Sequence, residues 1–266
     1  MIVVEGRIAD FVMFLILIGC SLLVIYIAEH YGKYRSIRPI LGVARIDEAI
    51  GRATEMGRPV HFATGDASNL YTALGPGVIA GLSVLDYVAR LCARRGTKLI
   101  CAVGGTSAAG ADEIPLMHEI VKGAYVAEGK ESEYTLDMIR YISPEQQGYV
   151  AGVIGLFLRE RPAANICIGP WAGAAVPIGE YGVRVGALQI GGSTREGMTA
   201  LFFILYDYAL LGTEIYAAGA TLSKDPAQIA SFTAEDVGKI ISIALIIIGS
   251  LLITVGNSAI RTILGM

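Results

Sequence analysis

The sequence predicts an α/β protein: a five-stranded, mostly parallel, Rossmann-like sheet with helices on both faces, flanked by two transmembrane helices. Three observations predict it. Long uncharged apolar runs lie near both ends of the chain, short β-branched runs alternate with helical segments between them, and four of the five predicted strands run out into glycine. Strands alternating with helices build βα units, and βα units build a parallel sheet.

The first element is the run Phe11 to Ala28, which holds no charge. At 1.5 Å per residue, about 20 such residues cross the ~30 Å of a hydrocarbon core. A cleaved leader fits less well, because no small-x-small cleavage site follows and Glu5 and Asp10 precede the run. His30, Tyr31 and Tyr34 follow it, where amphipathic rings settle at headgroup level. The last element, Ile240 to Val255, is a second uncharged run. Lys33, Arg35, Arg38 and Arg45 lie after the first run and Lys224 and Lys239 before the second, against Arg7 and Arg261 at the outer ends. Positive charge is retained on the cytoplasmic side, so the middle of the chain is expected in the cytoplasm and both termini outside the cell membrane. The expected domains are residues 1–32, 33–232 and 233–266.

Between the spans, strands are predicted near Val60 to Thr64, Leu99 to Val103, Met138 to Ile142, Ile166 to Ile168 and Ala187 to Ile190, with helices over Val78 to Arg95, Glu113 to Glu128, Pro144 to Arg161 and Trp171 to Val185. Ser143-Pro144-Glu145 supplies a cap, a first-turn proline and an acid, and Gly96 a carboxyl-terminal cap. Glycines mark the strand exits: Gly65, Gly104 with Gly105, Gly169, and Gly191 with Gly192. In an open parallel sheet these ends form the rim where ligands are held. The polar residues expected on the rim are Asp66, Ser68, Asn69, Thr106, Ser107, Asp112, Glu113, Glu180, Ser193, Thr194, Arg195 and Glu196. Glycine after a buried strand also serves simply to make a tight turn.

Met198 to Leu222 is nearly all apolar but contains Asp207 and Glu214. On one helix these acids share a face, two turns apart. The stretch reads either as a third span carrying an ion path or, preferably, as a buried helix whose acids are satisfied by groups such as Arg195.

Composition removes several function classes. The 266 residues are 54% hydrophobic and 17% charged with a formal net charge of −3, too apolar for an ordinary soluble domain and without a basic surplus for nucleic acid. Cys20, Cys92, Cys101 and Cys167 form no C-x-x-C pair and read as reduced, small apolar residues, with no metal site expected. Gly75-Pro76-Gly77 with Gly81 has a dinucleotide-like spacing but lies too far after the first strand, and Gly104 to Gly110 lacks the lysine of a phosphate loop. Ser107, Asp112 and His118 make a triad only on paper, without a G-x-S-x-G elbow. His61 reads as a satisfied core histidine, and His118 with Glu119 forms no H-E-x-x-H.

The stretch Gly51 to Phe62 (GRATEMGRPVHF), Leu222-Ser223-Lys224-Asp225-Pro226 and Asp236-Val237-Gly238-Lys239 resemble a family of bacterial and archaeal membrane proteins known only as a domain of unknown function. The resemblance covers the chain from about residue 40 onward. It implies a membrane-anchored α/β domain and carries no activity or site residue.

The expected function is non-enzymatic: a membrane-anchored subunit that self-associates through its cytoplasmic domain into an ordered, cyclic assembly or scaffold. Its motivation is the lack of a catalytic motif combined with 33 glycines and an apolar content beyond what two spans and a core require. The expected partners are the lipid bilayer, further copies of the chain and other membrane subunits, with no nucleic acid and no cofactor. The alternative is a small-ligand sensor or enzyme at the rim, using Gly65, Asp66, Gly104, Gly105, Thr106, Ser107, Gly169, Gly191, Gly192 and Arg195.

Overall fold

A computed structural model describes residues 8–31, 40–223 and 226–254. The basic flank residues Arg7, Lys33, Arg35, Arg38, Lys224 and Arg261, and Tyr34, lie outside them. The chain divides into two compact units, residues 38–223 and residues 1–37 with 224–266.

The second unit contains helices α1 (Ile8–Tyr31) and α9 (Pro226–Thr254), which pack together near Leu17 and Gly238. Both carry exposed apolar side chains, among them Phe14, Leu22, Ile240 and Ile246. Their apolar stretches within the described residues are Phe14–Ile27 and Gly238–Leu251. Among the described residues one helix, Gly75–Arg95, is long and apolar enough to cross a membrane, but it is mostly buried. It is a core helix of the other unit.

That unit is α/β with a six-stranded, wholly parallel sheet. The strands are β1 (Val60–Ala63), β2 (Leu99–Gly104), β3 (Ile139–Ser143), β4 (Ala164–Gly169), β5 (Leu188–Ser193) and β6 (Tyr208–Ala209). Their order is β3-β2-β1-β4-β5-β6. The chain winds outward from β1 to β3, crosses back beside β1 to β4, and winds outward again. Right-handed crossovers then put the helices of the two halves on opposite faces. On one face lie α2 (Leu41–Glu55), α3 (Gly75–Arg95), α4 (Ser107–Ala127) and α8 (Glu214–Ser223), over Val60, Phe62, Leu99, Cys101, Ile166 and Ile190. On the other lie α5 (Gln146–Glu160), α6 (Ala175–Val185) and α7 (Thr199–Leu205), over Ala63, Ile100, Ala102 and Cys167. Burial on both faces explains why the central strands read as continuous apolar runs.

Each of the five predicted strands is present, and the sixth corrects the expectation of five. It lies in the stretch read as one buried helix or a third span. That stretch is instead α7, β6 and α8, broken where Tyr206 takes an extended backbone and where Gly212 turns with φ +52°. Asp207 and Glu214 therefore share no helix face, and both are exposed, which corrects their reading as buried acids. The Asp207 carboxylate accepts from Gln189 N at 2.8 Å, fixing the sheet edge, and Glu214 accepts from Leu211 N at 2.9 Å at the start of α8.

All four predicted helix starts shift, α3 from Val78 to Gly75 among them, and two shifts have identifiable reasons. Helix α5 begins at Gln146 because the Ser143 hydroxyl accepts from Glu145 N at 3.1 Å and holds Pro144 outside the helix. Helix α6 begins at Ala175 because the preceding segment bends to place its N–H groups on Asp66. Helix α4 begins six residues before Glu113 and carries Pro115 inside it. The Gly96 cap of α3 is as expected, with φ +64°.

The Gly57-Arg58-Pro59 turn ahead of β1 is tied down by the Arg58 side chain. Arg58 donates to the carbonyls of Arg161 at 2.5 Å, Pro162 at 3.0 Å and Val185 at 2.7 Å. Those oxygens lie at the carboxyl ends of α5 and α6, where the helix dipole favours a cation.

Candidate functional site

Strand order reverses between β1 and β4, and in an open α/β sheet the crevice at that reversal is where ligands bind. Here the crevice is closed by the chain itself. Gly169 (φ +148°) lies so close to Thr64 that a Cβ would overlap the Thr64 carbonyl, and a Cβ on Gly65 would come within 2.5 Å of Pro170 O. Across the β1–β2 gap, a Cβ on Gly105 (φ +89°) would meet Asp66 at 2.7 Å. These glycines let three loops touch backbone to backbone.

Asp66 fills the centre of that contact and is 2% exposed. Its carboxylate accepts from Ala172 N at 2.5 Å, Ala174 N at 3.0 Å and the Gln146 amide at 2.5 Å. N–H groups ahead of a helix are ordinarily an anion site. In this protein the anion is the chain's own carboxylate. Thr106 strengthens the closure by donating its hydroxyl to Ser68 O at 2.9 Å.

Thus Gly65, Asp66, Gly104, Gly105, Thr106 and Gly169 gather at one place, as a rim should. Gly191 and Gly192 do not follow a strand; they lie within β5, where the rings of Phe202 and Tyr206 and the Leu210 carbonyl press on them. Arg195 is exposed beyond the end of β5, its N–H donating to Ser193 Oγ at 3.1 Å. Ser107 opens α4, but its side chain is outside the described residues.

Two buried polar groups add to this site. Glu113, on α4, is 1% exposed and accepts a hydrogen bond from the Thr64 hydroxyl; its Oε2 has no partner among the described residues. Burial pushes its pKa up to about 7, and the hydroxyls of Thr64 and Ser68 offset only part of that. Ser68 in turn donates to Gly65 O at 3.1 Å. The second group is a row of polar side chains across the sheet. His61, Asn165 and Gln189 are neighbours in register. Asn165 Nδ2 donates to Gln189 Oε1 at 3.0 Å, so Asn165 Oδ1 faces His61 Nδ1 at 2.8 Å and that nitrogen carries the proton. Burial lowers the His61 pKa to about 4, keeping the ring neutral.

An open-sided groove of about 430 Å³ runs between α5 and α6 beside the closed crevice. Val150, Ala151, Ile154, Ala174 and Pro177 line it, with Gln146 and Gln147 supplying amides. The four cysteines are free, and burial pushes the thiols of Cys92, Cys101 and Cys167 up, the last to about 12. Among the described residues no three His, Cys, Asp or Glu side chains gather to hold a metal ion.

Residues 2–264 match a family described as a domain of unknown function (DUF6754). Neither the curated proteins nor the solved structures contain a match.

Proposed function

The chain belongs to that domain family of unknown function, and from this premise we propose that it is a membrane-anchored subunit that self-associates through its α/β unit into an ordered assembly. The observation that carries the reading is the surface of α7. Phe202 is fully buried beneath it, while the next two residues, Phe203 and Ile204, are 69% and 77% exposed. They stand just before β6, the two-residue strand that leaves one end of the sheet open. Large adjacent apolar side chains beside an open edge are unfavourable in water and are relieved by a second copy of the same surface. Closed symmetric homo-oligomers are the commonest outcome.

Anchoring by α1 and α9 is part of the proposal. Its support is the apolar stretches Phe14–Ile27 and Gly238–Leu251 within them and their exposed apolar side chains, which in lipid have no unfavourable contact with water. In this reading the positive flanks favour a cytoplasmic position for residues 33–232. The experiment is a Phe203→Ser, Ile204→Ser double variant of the full chain, extracted in mild detergent and sized by light scattering. The proposal expects the wild type to be a defined multimer and the variant a folded monomer; equal sizes would overturn the role of α7.

The α5–α6 groove favours a second reading, a small-molecule sensor, because its volume lies in the range of ligand sites. A thermal-shift screen of nucleotides and metabolites distinguishes the two, since a ligand at 100 times its Kd raises stability by about 2.7 kcal/mol.

A further inference from the structure

We propose that Glu113 is a proton-operated latch, which while protonated holds the loop after β1 against the loop after β2 and on ionisation releases them. The inference concerns the closed crevice alone and does not depend on self-association.

The geometry behind it begins with what Glu113 touches. Its Oε1 accepts from Thr64, the residue that leaves β1, and Thr64 is next to Gly65 and within reach of Ser68 at 3.3 Å. Ser68 O accepts from Thr106 of the neighbouring loop, and Gly105 is pressed on Asp66. A side chain from α4 therefore sits directly beneath the place where the two loops meet. Its second oxygen is buried without a partner among the described residues. A neutral carboxyl tolerates such a site at modest cost, whereas a carboxylate there requires a cation or water.

Among the described residues, the cations on the surrounding elements are paired elsewhere. The groups that sense Glu113 are Cys101 on β2 and Tyr149 on α5, both kept neutral by burial, and Asp66 shares the environment of Tyr149 as a further negative group. On α3, Arg90 pairs with Asp86, Arg94 with Glu128 and Arg95 with Asp47, and Tyr87 feels Asp47, Arg94 and Arg95. On β3, Arg140 pairs with Glu160, with Tyr141 exposed beside it. Residues 131–133 bring Glu131 to Lys122 and Glu133 to Lys130, and Tyr134 bonds His118. On α4 itself, Asp112 and Glu119 are acidic. Ionisation of Glu113, its proton leaving to solvent, is thus relieved only by admitting water, and water enters where the loops part. The raised pKa of about 7 places this event near neutral pH.

Hydrogen exchange of the full chain in detergent tests the latch, read as protection factors of the amides of residues 64–68 and 104–106 at pH 5.5 and 8.5. Ionisation with a buried pKa of about 7 and an ordinary one when open shifts the opening equilibrium about thirtyfold over that interval. Protection should fall by that order in the wild type and become independent of pH in Glu113→Gln. Unchanged protection in the wild type, or a pH response that persists in Glu113→Gln, would overturn the latch. Infrared titration of the wild type alone gives a second readout. A buried carboxylic acid band that disappears near pH 7 together with the loss of protection supports the latch, and carboxylate titration confined to the ordinary acid range refutes it.

Discussion

Asp66, in the loop after β1, and Glu113, on α4, are both buried yet solve burial in opposite ways. Asp66 is met by three donors, Gln146 Nε2 and the N–H groups of Ala172 and Ala174. Replacing it with Ala leaves two backbone N–H groups and an amide unpaired, so Asp66→Ala should lower unfolding stability by about 3 kcal/mol in a denaturant titration. Among the described residues Glu113 meets only the hydroxyls of Thr64 and Ser68, and its folded pKa of about 7 lies above the ordinary 4.5. The stability it contributes is therefore complete below about pH 4.5 and lost as pH rises to about 7. His61 has the reverse sign: its folded pKa of about 4 lies below the ordinary 6.5, so its contribution is present above about 6.5 and lost as pH falls to about 4. Between roughly pH 4.5 and 6.5 the two slopes oppose each other and stability should be nearly flat. Glu113→Gln should unmask the histidine slope, about 1.4 kcal/mol per pH unit at most, with stability falling toward acid. Flat stability in that variant would contradict the assignment.

At the scale of elements, the glycines test whether the rim is a contact or a vacancy. Gly57 has φ +61° and nothing near its absent side chain, so Gly57→Ala should cost only the backbone penalty of about 1 kcal/mol. Gly169→Ala adds an overlap with the Thr64 carbonyl and should cost about 3 kcal/mol. Equal costs would mean the loops do not press together. The central strands were legible because burial on both faces demands continuous apolar runs, and the Gly-Arg-Pro turn was legible from its position before one of them. The ends of β4 and β5 were not, because Ala164 and Asn165 have weak strand preference and Gly191 and Gly192 look like a turn until Phe202 and Tyr206 are seen against them. Strand β6 was hidden for another reason. Two residues carry no periodicity, and only the pairing of Tyr208 and Ala209 with Ile190 and Gly191 defines it. Glu113 was readable as a rim residue, but its burial required noticing that it heads the inward stripe Glu113, Met117, Val121, Ala124 of α4. The partner of His61 could not be read at all, since Asn165 and Gln189 become its neighbours only through sheet order.

The whole molecule comprises an α/β unit, with its strand-end crevice filled by its own groups and an exposed apolar ridge on α7, and a unit of two largely apolar helices. Fold alone does not decide function, because the strand order of this sheet serves many chemistries. The proposal of self-association rests on Phe203 and Ile204 at the surface, beside a strand reversal whose loops touch backbone to backbone. The central claim is self-association, and native mass spectrometry of the full chain released from its membrane in mild detergent tests it most directly. The account predicts a single multimer of this chain that falls to monomer in the Phe203→Ser, Ile204→Ser variant. A monodisperse wild-type monomer would contradict it.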